Sequence, residues 1–262
     1  AFNEFLSLSG LDKIISKELS NLNVENLADL RRTGKKLRDL ILKTPLPEVL
    51  ISEIEEAWKD FSKPGKSFAV RSSATAEDLP DTSFAGQQET FLNIDGFENL
   101  LDAVRRVYAS LFTDRAISYR KLRNFKGTLS ISVGVQEMVR SDIGSSGVAF
   151  TLDTESGYRG SIFITSSYGL GEGIVQGSVN PDEFYVYKKA LENNKFPIIK
   201  KTLGEKAKKM IFTDSNVAGK SVKYVKVKPE EAKVFSLSDA EIIELASYAK
   251  TIEYHYKVPM DI

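Results

Sequence analysis

Residues 68–94, FAVRSSATAEDLPDTSFAGQQETFLNI, decide how the rest of the chain is read. The stretch opens as an apolar strand that ends on Arg71. It turns into a loop of small and hydroxyl-bearing residues, then returns as a second strand, ETFLNI at 89–94. A guanidinium at a strand end offers a rigid fork of donors that fits phosphate oxygens. The Phe84-Ala85-Gly86 end of the loop lets backbone come close to a ligand. A strand-end arginine held in an ordinary ion pair explains the same residues, and the stretch alone leaves both readings open.

On the N-terminal side the pattern is helical. In LDKIISKELSNL, Leu11, Ile14, Ile15 and Leu19 recur at helical spacing. NVENLADLRRTGKKLRDLILKTPLP predicts a helix capped near Asn26 and stopped by Pro45. LPEVLISEIEEAWKDF predicts another, with Pro47 near its start and Lys63-Pro64-Gly65 at its end. These read as a packing scaffold. On the C-terminal side, FENLLDAVRRVYASLFTDRAISYRKLRNF predicts one long helix or a pair. Strands follow at GTLSISVGVQEMV, SSGVAFTLDT, SIFITSSYG, DEFYVYKK and FPIIKKTLG, spaced closely enough to predict an antiparallel sheet. SDAEIIELASYAKTIEYHYKV predicts a closing helix with Ser238 and Glu241 as a capping box. Helix-rich sequence gives way to strand-rich sequence at 125–128. The fold class is therefore α+β, with a helix-rich subdomain at 1–127 carrying the Arg71 loop and a strand-rich one at 128–262.

Bulk composition narrows the function. In 262 residues, 36 Lys and Arg balance 36 Asp and Glu, so no overall field draws nucleic acid or an anionic membrane, and any anion site is local. The absence of cysteine and the single histidine exclude disulfides, thiolate sites and histidine clusters. No apolar run approaches about 18 residues, and no signal peptide opens the chain, so a cytoplasmic protein is expected. The abrupt amphipathic start and the apolar VPMDI finish are expected of a piece of a longer protein.

Two familiar phosphate motifs fail. AGKS at 218–221 ends like a Walker A box, but Asp214 stands at its first glycine. GLGEGIVQG at 169–177 suggests a dinucleotide loop, but Ile174 stands at its third. Two further segments still suit an anion. RSDIGSSGVAF reads either as an anion nest or as a plain hairpin turn. SSYGLGEGIVQGSVNPDEF carries four glycines, more than a turn needs, and three carboxylates. Arg115 lies on a helix, with Asp114 and Tyr119 placed to hold it, or is simply solvated. His255 reads as packing or surface. Asp261 is a lone carboxylate suited in type to Mg²⁺.

Together these segments, with SLFTDRAISYR, SVGVQEMVRSD, SSGVAFTLDTESG and PMDI, resemble one family. It is the nucleotide-binding domain shared by phosphoenolpyruvate synthases, pyruvate phosphate dikinases and, more distantly, rifampicin phosphotransferases. LDTESG and VPMDI are more similar to the synthases. The likeness is continuous over 68–187 and returns at the end, while 1–60 match only in character.

The resemblance implies an ATP-grasp-like fold with a nucleotide cleft between two subdomains. It implies ATP and Mg²⁺ as cofactors, and a phosphohistidine domain and a pyruvate-binding barrel elsewhere in a longer chain as partners, with no nucleic acid or membrane. By resemblance Arg71 and Arg115 face the phosphates, and Gly86, Gln87, Gln88 and Thr90 belong to the loop approaching them. Glu137, Met138 and Val139 border the adenine, Glu172 lies near the nucleoside, and Asp261 begins an Asp-Ile-Glu metal motif. The family's Gly-Gly-Lys segment, the glutamate of that motif and the Thr-Ser-His phosphocarrier are absent. His255 is therefore not the carrier, and the chain alone is expected not to run the full reaction.

Overall fold

The computed structural model describes residues 1–74, 78–79, 82–83, 89–122 and 130–262. Gly86, Gln87, Gln88 and the expected boundary at 127/128 lie outside the described residues. By compactness the chain divides into two units: Ala1–Met138 with Asp214–Ser221, and Val139–Thr213 with Val222–Ile262. The mixture of helices and antiparallel sheets is that of an α+β protein.

The first unit opens with four helices: α1 (Phe2–Leu8), α2 (Leu11–Ser20), α3 (Leu27–Lys43) and α4 (Glu48–Phe61). Asn26 caps α3 as its side chain predicts, accepting the backbone N–H groups of Ala28 and Asp29 at 3.1 and 3.2 Å. Strand β1 (Phe68–Ala74), a two-stranded ribbon of β2 (Asp78–Leu79) and β3 (Thr82–Ser83), and β4 (Thr90–Ile94) follow. Helices α5 (Phe97–Ser110) and α6 (Asp114–Leu122) come next, then β5 (Ile131–Glu137). The long helical pattern thus resolves into a pair. The break falls at Thr113, whose hydroxyl accepts the Ala116 N–H at 3.2 Å and restarts the helix.

β1 is the central strand of an antiparallel sheet ordered β4-β1-β5. Val70, Phe91, Ile94 and Ile131 of that sheet join Leu37 and Ile41 of α3 and Leu100, Val104 and Val107 of α5 in one core. Each such buried side chain contributes about 1.5–3 kcal/mol. The segment Asp214–Ser221 returns to this unit from far along the chain. Ala218 enters the core, and Ser221 donates its hydroxyl to the Leu92 carbonyl at 2.5 Å.

The second unit contains β6 (Ser145–Phe150), β7 (Ser161–Tyr168), α7 (Glu172–Val175), β8 (Asp182–Tyr187), α8 (Lys188–Glu192) and β9 (Ile198–Thr202). It is completed by β10 (Lys208–Phe212), β11 (Val222–Lys226), α9 (Pro229–Ala232) and α10 (Asp239–Tyr256). β6-β7-β8-β9 form an antiparallel sheet in sequence order, and α10 covers Ile162, Ile164, Phe184 and Val186 on one face. The capping box at the start of α10 is present in full. The final residues add to the outer edge of β6, with Ala149 and Ile262 exchanging backbone hydrogen bonds of 2.8 and 2.9 Å.

The β10–β11 hairpin was not expected from the sequence. Its strands, KKMIF and VKYVK, mix lysine with apolar residues without the strict alternation that marks a strand. Their pairing, Met210 opposite Tyr224 and Phe212 opposite Val222, spans an intervening segment that belongs to the first unit.

Candidate functional site

In the first unit Arg71 and Thr90 meet on one sheet face. Val70 and Ser72 are buried, so strand alternation puts Arg71 on the opposite face, where it is exposed. Its direct cross-strand neighbours are Thr90 on β4 and Gly134 on β5. Gly134 presents no side chain there. A Cβ at that position would lie 3.5 Å from the Arg71 Cγ, so the arginine stem lies over bare backbone. Among the described residues the Arg71 guanidinium has no hydrogen-bond or ion-pair partner. Arg71 and Thr90 are therefore brought together, with Gly134 a third participant that the resemblance did not single out.

The other expected residues of this unit are held by their neighbours. Glu137, at the end of β5, pairs with Lys66, both half-exposed. The Met138 N–H donates to the Ser67 carbonyl at 2.9 Å, and its sulfur accepts the Asn93 N–H at 3.0 Å. Arg115 sits exposed in the first turn of α6. Asp114, expected to hold it, instead accepts from Arg38 at 3.1 Å. Arg120, five residues on, is pushed down to about 10 by burial, and its Nη2 has no partner among the described residues.

In the second unit Val139 is 83% exposed. The two Gly/Ser segments come together here. The Gly169 N–H donates to the Gly144 carbonyl at 3.0 Å, and the Ser146 hydroxyl donates to the Gly169 carbonyl at 2.6 Å. Gly169 is required at φ 86°, because a Cβ there would lie 2.5 Å from the Met210 carbonyl oxygen. The N–H groups of Ile174, Val175, Gln176, Gly177 and Ser178 all donate within the segment. The glycine-rich segment thus uses these five amides to hold its own turn.

Glu172 is the first residue of α7. Burial raises its carboxyl above the ordinary range, and a 2.7 Å hydrogen bond from the Gln176 amide opposes that shift. Asp261 is exposed and bridges antiparallel to Phe150. Among the described residues no group of three or more His, Asp or Glu is close enough to hold a metal, so Asp261 offers a single carboxylate. His255 is exposed, edge-on to Tyr256.

Sequence reasoning passed over one buried charge pair. Asp182 and Lys206 are both 0% exposed and in contact. Asp182 also accepts the N–H groups of Gly204 at 2.8 Å and Ser236 at 2.7 Å, and the Ser236 hydroxyl at 2.8 Å. Asn-Pro-Asp in a glycine-rich stretch was the available signal, but its lysine partner lies 24 positions away.

The family model described as pyruvate phosphate dikinase, AMP/ATP-binding domain matches residues 1–262. The chain is 58% identical to a phosphoenolpyruvate synthase of Neisseria meningitidis, 52% to one of Pseudomonas aeruginosa and 49% to one of Escherichia coli. Each match covers 100% of this chain and 34% of the relative, so the chain spans about a third of the length of these proteins. Among the described residues no helix is long and apolar enough to cross a membrane.

Proposed function

Because this chain belongs to the pyruvate phosphate dikinase AMP/ATP-binding domain family, we propose that it is the ATP-binding part of a phosphoenolpyruvate synthase. The whole enzyme converts ATP, pyruvate and water into AMP, phosphoenolpyruvate and phosphate. The β-phosphoryl group of ATP passes to a histidine on another domain of the longer polypeptide, and from there to pyruvate held by a barrel domain. In this reading the fold is ATP-grasp-like, the subdomains 1–127 and 128–262 flank the nucleotide, and the protein works in the cytoplasm without nucleic acid.

One observation carries the reading: an exposed Arg71, unpartnered among the described residues, beside Thr90 and a bare Gly134, in a chain whose whole length matches a nucleotide-binding family. Phosphoryl transfer asks little covalent help of a protein and much charge neutralisation and positioning. Arg71 and Arg115 neutralise the phosphates, and Gly86, Gln87, Gln88 and Thr90 approach them. Glu137, Met138 and Val139 border the base, and Glu172 lies near the nucleoside. Mg²⁺, which keeps waters and phosphate oxygens and takes one or two carboxylates, would find Asp261 as its protein ligand and would neutralise phosphate charge. A rifampicin phosphotransferase is the rival reading, and the relatives named above do not favour it.

Calorimetric titration of the chain with ATP, with and without Mg²⁺, tests the reading. Heat that disappears in Arg71→Ala supports it, and heat indifferent to that change overturns it. In the longer polypeptide, phosphoryl transfer to rifampicin rather than pyruvate would decide for the rival.

A further inference from the structure

Asp114 lies immediately beside Arg115, the nearest possible carboxylate in sequence, yet it faces another cation. Arg38 of α3 reaches the junction of α5 and α6. Its Nη1 donates to the Phe112 carbonyl at 2.6 Å and to the Asp114 carboxylate at 3.1 Å. One nitrogen thus ties both the backbone before α6 and the first side chain of α6. Gly34 lies one helical turn before Arg38 on the same face of α3. A Cβ there would stand 2.6 Å from Asp114 Oδ1, 3.0 Å from Arg38 Nη1 and 3.2 Å from the Phe112 oxygen. Only a glycine leaves room for this contact. The far side of α6 is anchored by Ala116 and Ile117, each 1% exposed, which leaves Arg115 on the open side.

We propose that Arg38 is the positioning residue for Arg115: by holding Asp114 and the Phe112 carbonyl it sets the first turn of α6 and keeps the neighbouring carboxylate from capturing the Arg115 guanidinium. Arg115 is thereby free for an anionic ligand, which in the reading above is the phosphate chain of a nucleoside triphosphate; the inference rests on that reading for the ligand's identity. Removing Arg38 releases a carboxylate one residue from Arg115 and unties the turn that aims it. An arginine that merely stabilised the fold would lower stability without acting through Arg115.

A double-mutant cycle separates the two roles. ATP affinity is measured calorimetrically on the chain carrying Arg38→Ala, Arg115→Ala, both, and Arg38→Lys. The Arg115 side-chain Nε–H resonance is followed by NMR in the Arg38 and Gly34→Ala variants. Loss of a charged hydrogen-bond donor to phosphate weakens binding roughly tenfold or more, and this is the expectation for Arg115→Ala. Arg38→Ala is expected to weaken ATP several-fold, Arg38→Lys less, and the double variant no more than Arg115→Ala alone. The Nε–H resonance is expected to shift in Arg38→Ala, in Arg38→Lys and in Gly34→Ala.

Losses that multiply in the double variant overturn the proposal, as does an unmoved Arg115 resonance in folded variants. If Arg115→Ala leaves ATP affinity unchanged, the nucleotide reading of that residue fails, and the resonance still decides whether Arg38 positions it. Should Arg38→Ala fail to fold, Arg38→Lys and Gly34→Ala carry both measurements.

Discussion

Two sets of charges, one in each unit, are held in opposite ways. In the second, Asp182 and Lys206 are fully buried, and the carboxylate is saturated by Lys206, Gly204 and Ser236. In the first, Arg71 and Arg115 stand exposed, without partners among the described residues. A charge removed from water persists only when its partners replace the lost hydration, and such a pair holds loops together but has nothing left to offer a ligand. A charge on an open sheet face contributes little to stability and keeps its donors free. The useful cation is therefore the unsatisfied one.

The largest expected effect tests the buried side. Lys206→Met strands the Asp182 carboxylate in the interior and is expected to lower stability by about 3–5 kcal/mol, read as a reduced urea midpoint. A change within experimental error would mean that water reaches the pair. Next comes Arg71→Ala, expected to weaken ATP binding by about 1.5–3 kcal/mol while the unfolding midpoint stays put. If stability fell and binding did not, the contrast between the units would be lost.

Glycines sharpen the same contrast. Gly169→Ala meets the Met210 backbone at a left-handed φ and is expected to cost at least about 1–2 kcal/mol, whereas Gly134→Ala makes only an ordinary 3.5 Å contact and should leave stability nearly unchanged. Equal melting temperatures for the two variants would contradict the geometry.

The smallest effect concerns pH. Burial raises the Glu172 carboxyl, so the folded state binds its proton more tightly than the unfolded state. Between the ordinary glutamate value and the raised one, stability falls as pH rises. Glu172→Gln should flatten that slope in denaturation measured across the carboxylate range, and an unchanged slope would assign it to another group.

Much of the fold was legible because its signals are local. The Asn26 cap, the Ser238–Glu241 capping box and the apolar period of α5 each lie within a few residues of sequence. The site was half legible. Arg71 announced itself as a guanidinium at a strand end, but that Gly134 would lie opposite it depends on β5 crossing from 63 positions away. Asp114 was misread for a similar reason. Sequence adjacency suggested Arg115 as its partner, while helix packing delivers Arg38 from 76 positions away. In AGKS nothing local indicated that Ala218 would enter the core of the first unit.

By itself, then, the sequence determined the longer elements, the Asn26 and Ser238 caps and the residue types able to meet phosphate, since spacing and side-chain chemistry act over a few residues. Only tertiary structure decided which charges are consumed in the interior and which remain open to a ligand, because burial and ion pairing depend on strands and helices that meet from distant parts of the chain.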